Sequence, residues 1–323
     1  MSTRIGVLPD DIIHTFLNGD TVQRVNNGSF IRLPHPRSGL PALFFPHQTP
    51  STSTICELQA IEPINQRSWF IGDEVVADGK LLMITPVDPV FLLIPILRSF
   101  SPKDGTPGQF RTADDIFEEA AMKLEQASSK DPIQAILAKD IATFTALDCC
   151  KDALTRICDK QELPPDIVVY RFSATKFVEY MRLKVENLLK GNVIDESRTL
   201  VRSLAKDGLM EDGKESLLKA GRLKIACDLV AQYIPPDLRT TLFASYDFTE
   251  LDTYLEKLEE ERRATAQEVA AKTRKRTVKK EDSKEKVDKR KASAPKPSQG
   301  VEKLKKANIN GMAKLSTFFT KKS

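Results

Sequence analysis

Four acidic residues in the first hundred positions could do chemistry together if the fold brought them to one point. Asp73, Glu74, Asp78 and Asp88 are carboxylates of the kind that two-metal phosphoryl transfer uses. Acidic residues are abundant in this part of the chain, however, because residues 1–260 hold 38 Asp and Glu against 29 Lys and Arg. We therefore expect these four to be solvated turn residues with no catalytic role.

Other catalytic and metal-binding patterns are missing from the sequence. It contains no Gly-rich phosphate loop, no nucleophile elbow and no H-E-x-x-H motif. The three histidines lie in the first 47 residues, and the five cysteines form no C-x-x-C pair, so no zinc-ligand spacing exists. An odd cysteine count also argues against a disulfide framework, and we expect reduced, mostly buried thiols. The sequence predicts no cofactor and no bound metal for this chain.

The net charge of +4 conceals two opposed parts of the chain. Residues 261–323 hold 20 Lys and Arg against 7 Asp and Glu, which gives +13, whereas residues 1–260 carry −9. The tail contains three basic clusters: Arg274-Lys275-Arg276, Lys279-Lys280 and Lys289-Arg290-Lys291. Such clusters suit nuclear import or contact with phosphate groups. We expect a nuclear protein with neither a membrane span nor a secretory signal.

Near its end the tail carries an apolar motif at residues 312–319. Leu315 stands three positions before the paired aromatics Phe318 and Phe319, so one short helical turn can present three apolar groups to a shallow pocket. This spacing resembles the peptide that docks on the replication sliding clamp, the proliferating cell nuclear antigen. That peptide family begins with Gln where this chain has Met312. The resemblance predicts clamp binding through Met312, Leu315, Phe318 and Phe319.

The residues that could position these groups fall into a β part and a helical part. Short apolar or alternating runs predict strands at residues 4–8, 30–33, 42–45, 54–61, 68–71, 75–76 and 80–85. Asp78-Gly79 predicts a hairpin turn between two of them. Residues 90–94 are apolar without alternation, which indicates burial on both faces or the start of a helix. Residues 1–100 therefore predict a barrel or sandwich.

Helix signals begin after a linker at residues 101–112. Asp114 can cap a first helix, and Asp131-Pro132 repeats the start signal. Apolar stripes at helical spacing follow, and a short wing-like hairpin among them would leave little trace in the pattern. They are Phe144, Leu147, Leu154 and Ile157; Phe177, Met181, Val185 and Leu188; and Ile225, Leu229, Val230 and Tyr233. We expect a helical domain at residues 113–260 and disorder from about residue 265.

Several segments together resemble the B subunit of eukaryotic type 2 ribonuclease H. The central segment carries the most specific match, and the resemblance spans most of the chain in order. The matching segments are residues 30–36, 68–73, 78–82, 85–92, 114–117 and 228–235. The resemblance implies an α+β chain with a β-barrel-like N-terminal domain, which forms part of an intersubunit triple barrel, a winged-helix-like domain and the basic tail.

The resemblance also implies a non-catalytic accessory subunit of a heterotrimer. Its partners would be the catalytic A subunit, which alone would hold Mg²⁺, and the C subunit. The assembled enzyme would cleave the RNA of RNA/DNA hybrids, nick DNA at single ribonucleotides, and be targeted by this chain to the sliding clamp. Trp69, Phe70, Val90, Phe91 and Leu92 would lie in the core or a subunit interface. The alternative is a stand-alone winged-helix protein that binds DNA with help from the basic tail.

Overall fold

The computed structural model describes residues 3–13, 29–49, 51–99, 108–129, 131 and 134–282, with side chains described up to residue 268. The strands are β1 (Ile5–Val7), β2 (Ile31–Pro34), β3 (Pro41–Gln48), β4 (Ser53–Ile61), β5 (Trp69–Ile71), β6 (Glu74–Val76), β7 (Leu81–Val87), β8 (Arg111–Thr112), β9 (Cys158–Leu163) and β10 (Ile167–Phe172). The first seven strands confirm the predicted β part, each within a few residues of its predicted bounds.

The helices that follow β7 are separated by short connections. They are α1 (Pro89–Arg98), α2 (Ala113–Ala127), α3 (Ala138–Thr145), α4 (Asp148–Ile157), α5 (Ala174–Lys190), α6 (Val193–Glu196), α7 (Arg198–Lys206), α8 (Glu215–Val230), α9 (Pro236–Ala244) and α10 (Thr249–Asp282). A 3₁₀ turn at Ala231–Tyr233 extends α8. Among the described residues, no helix is both long and apolar enough to cross a bilayer.

Five strands of the N-terminal part form one sheet in the order β1-β7-β4-β3-β2. β1 runs parallel to β7, and the other neighbours are antiparallel. β5 and β6 form a separate two-stranded hairpin. Within the described residues, β1 and β2 are the two outer strands and do not pair with each other. Among the described strands, this sheet is therefore open, with β1 at one edge and β2 at the other.

The predicted hairpin turn at Asp78-Gly79 is wrong. The turn lies at Gly72-Asp73, between β5 and β6, and β6 does not pair with β7. Gly72 has φ +57°, which a residue with a side chain rarely adopts and which favours a tight hairpin turn. Glycine is required at position 79 for a different reason: a Cβ at this position would overlap the main chain of Arg67.

Residues 90–94 belong to helix α1, so the helix start was the correct one of the two predicted alternatives. The side chain of Asp88 accepts a hydrogen bond from the amide of Val90 at 3.0 Å, and Pro89 occupies the first turn. The helix is apolar on all sides and packs against strand β2 and helices α2 and α4. Its burial on both faces is thus supplied by this chain, and a covering partner is not needed there.

The helical part contains a helix-turn-helix followed by a hairpin. Helix α3 ends at Thr145, α4 begins at Asp148, and strands β9 and β10 then pair with each other and with β8. We call β9 and β10 the wing. Two predicted helix starts are wrong: α2 is capped by Thr112, not Asp114, and α3 begins at Ala138. Pro132 of the expected earlier start lies outside the described residues.

One hydrophobic core joins the sheet and the helices. Buried side chains from β2, β3 and β4 lie in the same cluster as those of α1 to α5 and α8. Most of the predicted apolar stripes are buried, including Phe144, Leu154, Phe177 and Met181. The residues up to Lys257 form one compact unit. The boundary predicted at residues 101–112 falls largely outside the described residues and stays a prediction.

Helix α10 continues to Asp282 and includes the stretch Arg262–Lys272, where the sequence also allows a nascent helix; the disorder expected from about residue 265 stays a prediction. Its first turns are rich in acidic residues and its later turns in Lys and Arg, an order that complements the helix dipole. Arg263 also pairs with Glu259 one turn earlier, at 2.5 Å. The order of charges and this ion pair therefore favour a helix in a segment that has few apolar residues.

The thiols agree with the prediction that they are reduced and mostly buried. All five cysteines are free, and four of them are buried, with Cys149 half-buried. Burial raises the pKa of the Cys56 thiol to about 11 and that of Cys158 to about 12. These thiols are therefore protonated near neutral pH and act as small apolar side chains.

Candidate subunit interface

The four carboxylates considered for catalysis do not converge. Asp73 and Glu74 are exposed at the β5–β6 turn, Asp78 pairs with Arg4 near strand β1, and Asp88 lies at the start of α1. Among the described residues, no three His, Cys, Asp or Glu side chains form a group that could hold a metal ion. The described part of the chain thus offers no arrangement of these four residues for metal-assisted chemistry.

Asp88 instead joins the start of α1 to helix α5. Its carboxylate accepts a hydrogen bond from the hydroxyl of Tyr180 at 2.7 Å, pairs with Lys184, and caps α1 through the amide of Val90. Burial alone would raise the pKa of this carboxyl, but the hydrogen bonds from Lys184, Tyr180 and Val90 outweigh burial and lower it. Asp88 is therefore a charged structural residue at neutral pH.

A second polar cluster joins the sheet to the end of α8. Glu57 on β4 is only 3% exposed, and its carboxylate accepts hydrogen bonds from the Tyr233 hydroxyl at 2.6 Å and from the Gln59 amide at 2.9 Å. His35 Nε2 lies 3.9 Å from the same carboxylate. Burial, followed by the bond to Glu57, raises the pKa of Tyr233 to about 12. A buried carboxylate with this many partners fixes the sheet on the helices.

Further hydrogen bonds attach the same side of the sheet to α3 and α4. The carboxylate of Asp140 on α3 accepts from the amide of Arg32 on β2 at 3.1 Å. The hydroxyl of Ser53 on β4 accepts from the amide of Cys149 on α4 at 3.1 Å. The chain's own helices therefore occupy this side of the sheet and, at Arg32, the outer edge of β2, which leaves the β1 edge and the β5–β6 hairpin for other contacts.

Apolar side chains are exposed on β1, at the end of β4 and in the loop after it, and on the β5–β6 hairpin. Phe70 is 80% exposed and Val75 60% exposed, although both belong to strands. The Trp69 indole donates to the carbonyl of Lys80 at 3.2 Å, which attaches the hairpin to the start of β7. We call the following residues the exposed apolar edge: Val7, Ile61, Ile64, Phe70, Ile71 and Val75. Exposed apolar residues on neighbouring segments are a feature of protein interaction sites.

The residues predicted for a core or subunit interface divide into two groups. Val90, Phe91 and Leu92 are buried in the chain's own core, so they are not available to a partner. Trp69 is half-buried and Phe70 is exposed, so these two remain candidates for an interface. Sequence reasoning did not single out Val7, Ile61 or Val75, because alternation along a strand does not show which face meets the core.

The predicted tail sites lie at the limit of the described chain or beyond it. Arg274, Lys275, Arg276, Lys279 and Lys280 fall within helix α10. Lys289, Arg290 and Lys291, and the clamp-like motif at residues 312–319, lie outside the described residues. The roles of all these residues in import, phosphate contact and clamp binding therefore stay predictions.

Two models of one protein family match the chain. Residues 7–88 match the Ydr279p protein triple barrel domain, and residues 91–243 match the wHTH domain of the Ydr279p protein family, described as an RNase H2 complex component. The first match covers the open sheet and the hairpin. The second begins within α1 and includes the helix-turn-helix and the wing.

Curated relatives cover nearly the whole chain. A protein of Schizosaccharomyces pombe is 25% identical over 303 residues, which span 92% of this chain and 96% of the relative. A protein of Xenopus laevis is 24% identical over 95% of this chain and 91% of its own length. A Bos taurus protein is 22% identical over 72% of this chain and 68% of its own length. Each is named as the B subunit of ribonuclease H2.

Proposed function

Because the chain belongs to the Ydr279p family of RNase H2 complex components, as a B subunit of ribonuclease H2, we propose that it is the non-catalytic scaffold of that complex. In this proposal the open sheet assembles with a C subunit, and the catalytic site, with its Mg²⁺, lies on the A subunit. The substrate, reached through the complex, is the RNA of RNA/DNA hybrids and the single ribonucleotide in DNA.

The observation that carries the proposal is the exposed apolar edge on an open sheet. A sheet that is open among the described strands, next to a hairpin with exposed Phe70 and Val75, invites aggregation unless another chain covers it. The matching family model describes this same region as a triple barrel domain, a closed form that the described strands do not complete by themselves. Strands from a partner subunit would supply the missing part.

The tail would target the complex. We propose that the basic clusters at residues 274–291 direct nuclear import and that the motif at residues 312–319 binds the replication sliding clamp. Two buried Phe side chains of ~150–250 Å² each correspond to roughly 8–12 kcal/mol gross at ~25 cal/mol/Å². Ordering and association costs of at least ~4 kcal/mol reduce this to about 4–8 kcal/mol, which corresponds to an affinity between millimolar and micromolar. Phe318→Ala with Phe319→Ala should abolish clamp pull-down and leave subunit assembly intact.

Coexpression with the A and C subunits tests the scaffold role. Phe70→Glu with Val75→Glu places two charges on the exposed apolar edge and should prevent copurification of the C subunit. The matched control is Met210→Glu, which changes another exposed apolar residue, after helix α7 and away from the sheet. If the double variant assembles as well as the control, the exposed apolar edge is not the assembly surface.

A nuclease assay tests the non-catalytic role separately. The purified chain should leave an RNA/DNA hybrid intact in Mg²⁺, whereas the three-subunit complex should cleave it and nick DNA at a single ribonucleotide. Metal-dependent cleavage by this chain alone, retained through repeated purification, would contradict the proposal even if assembly occurs.

A further inference from the structure

The winged-helix part raises the question of what it binds. In a helix-turn-helix the second helix is the one that enters the DNA major groove, and that helix here is α4. Residues 111–190, which contain α4 and the wing, hold 12 Lys and Arg against 14 Asp and Glu. DNA binding depends on cations that neutralise phosphates, so a domain with an acidic excess is poorly suited to it.

The individual cations of α4 and the wing are also engaged within the chain. On the wing, Lys160 pairs with Glu162 at 2.7 Å and Arg171 with Asp159 at 3.1 Å. On α4, Lys151 pairs with Asp148 at 3.3 Å. Arg156, also on α4, donates to the hydroxyl of Tyr180 at 3.2 Å. Each Lys and Arg of these two described elements therefore has a partner that a phosphate would have to displace.

The same domain has an open apolar groove of about 760 Å³ between α2 on one side and α3 and α4 on the other. Phe117 and Leu154 line it, and Met122 is exposed at its rim. Ala142 and Ala146 are exposed small residues in its lining on the α3 side. Small residues at this position let the backbone of a bound helix approach closely, as in helix-in-groove recognition.

Charge differs between the two rims of the groove. Asp114 and Glu118 lie on the α2 side, whereas Lys139 lies on the α3 side, next to Lys151 of α4, whose charge is shared with Asp148. A bound helix with charges of one sign on both flanks would meet repulsion at one rim. A helix with one basic flank and one acidic flank would be attracted at both, and complementary charge of this kind gives specificity.

We propose that this groove, on the winged-helix part of the chain, is a docking site for an amphipathic α-helix of a partner protein, with an apolar face and flanks of opposite charge. The proposal assigns a protein ligand to a domain type that often binds DNA. It does not depend on the exposed apolar edge, which lies on the N-terminal sheet and hairpin. The groove thus gives the chain a second protein contact, separate from assembly through the sheet.

Three synthetic peptides of about four helical turns serve as probes. All three have Leu and Phe at i, i+3, i+4 and i+7. The first has Lys on one flank and Glu on the other, the second has Lys on both flanks, and the third has Glu on both flanks. Fluorescence anisotropy with the full chain should show the mixed peptide binding about fivefold or more tightly than the other two at low salt. A helix with mixed flanks can bind in either direction along the groove, and reversing its direction exchanges its two flanks. Swapping the charges of its flanks would therefore not test the rims, so the peptides with one sign of charge are the informative controls.

Rim variants should change this preference in a defined way. Asp114→Lys with Glu118→Lys makes both rims basic and should favour the Glu-flanked peptide. Lys139→Glu with Lys151→Glu makes both rims acidic and should favour the Lys-flanked peptide. Because every variant keeps the same basic tail, any contribution of the tail to peptide binding cancels in the comparison. A preference that does not follow the rim charges, or no binding of any peptide, would overturn the proposal.

Filling the groove provides the steric test. Ala142→Trp should weaken all three peptides at least about tenfold, whereas Ala205→Trp, at an exposed alanine of α7, should have no effect. Circular dichroism checks that the variants fold, and Ala146→Trp replaces Ala142→Trp if it does not. Two further results would contradict a partner helix. If the chain self-associates and Ala142→Trp abolishes this, the groove binds a second copy of the chain. If an RNA/DNA hybrid displaces the peptides, and Lys139→Glu with Lys151→Glu abolishes that competition, the groove binds nucleic acid.

Discussion

The sheet and the helical part share one core but differ in how much of their apolar surface is exposed. The helical part buries most of its stripes, so that Phe144, Phe177 and Met181 have essentially no exposure. The sheet buries one side in the same core, and the β5–β6 hairpin beside it leaves Phe70 and Val75 exposed. The difference indicates that the N-terminal part is the one that requires a partner for assembly, whereas the groove of the helical part is an additional contact.

Removing a core side chain should have the largest effect on stability. Phe144→Ala creates a cavity in the shared core and should cost about 3–5 kcal/mol in the free energy of unfolding. Ile55→Ala, on the sheet side of the core, should cost about 2–5 kcal/mol. Urea unfolding followed by circular dichroism should give one transition for each variant. Separate transitions for the sheet and the helices would break the idea of a shared core.

The Glu57 cluster should have the next largest effect. Tyr233→Phe removes the hydroxyl that donates to the buried Glu57 carboxylate and should cost about 1–3 kcal/mol of unfolding free energy. Glu57→Gln combined with Tyr233→Phe should cost less than the sum of the two single changes, because the two residues interact directly. Urea unfolding of all four proteins measures this coupling. Strict additivity would show that the cluster does not hold the sheet on the helices.

Acid should weaken the link between α1 and α5. The pKa of Asp88 is lowered in the folded chain, so its contribution is present above the unfolded pKa of ~3.9. That contribution is lost as pH falls through the lower folded value. Asp88→Asn should therefore lower the free energy of unfolding at pH 7 and flatten its decline below about pH 4. An unchanged acid dependence in this variant would mean that Asp88 is not stabilised as proposed.

The exposed apolar edge should have the smallest effect on the stability of the free chain. Phe70→Ala should change the free energy of unfolding by less than about 0.5 kcal/mol, because Phe70 loses little buried area. The same substitution should weaken assembly with the C subunit, measured by titration of the purified partner. If Phe70→Ala strongly lowers the free energy of unfolding but leaves assembly with the C subunit unchanged, Phe70 is a core residue and not an interface residue.

Much of this architecture could be predicted from local patterns. The first seven strands were predicted because short β runs alternate with turn residues, and α5 because Phe177, Met181 and Val185 follow helical spacing. Residues 90–94 were ambiguous from periodicity alone. The preceding Asp88-Pro89 is an N-cap followed by Pro in the first turn, and this signal would have settled the assignment as a helix.

Other features depend on contacts that no local pattern contains. Strand β9 carries mostly polar, exposed residues, and it forms because β10 pairs with it after a short turn. Glu57 and Tyr233 are 176 positions apart, so their hydrogen bond is a consequence of the tertiary fold. The groove arises from the spacing of α2, α3 and α4. The exposed apolar edge likewise follows from which face of each strand the helices cover.

Hydrogen exchange of the free chain and of the coexpressed three-subunit complex tests the central claim most directly. If the sheet assembles with a partner, amides of strand β1 and of the β5–β6 hairpin should exchange more slowly in the complex. Amides of α1, already buried in the shared core, should change little. Unchanged exchange at β1 and the hairpin in an intact complex would contradict assembly through this surface.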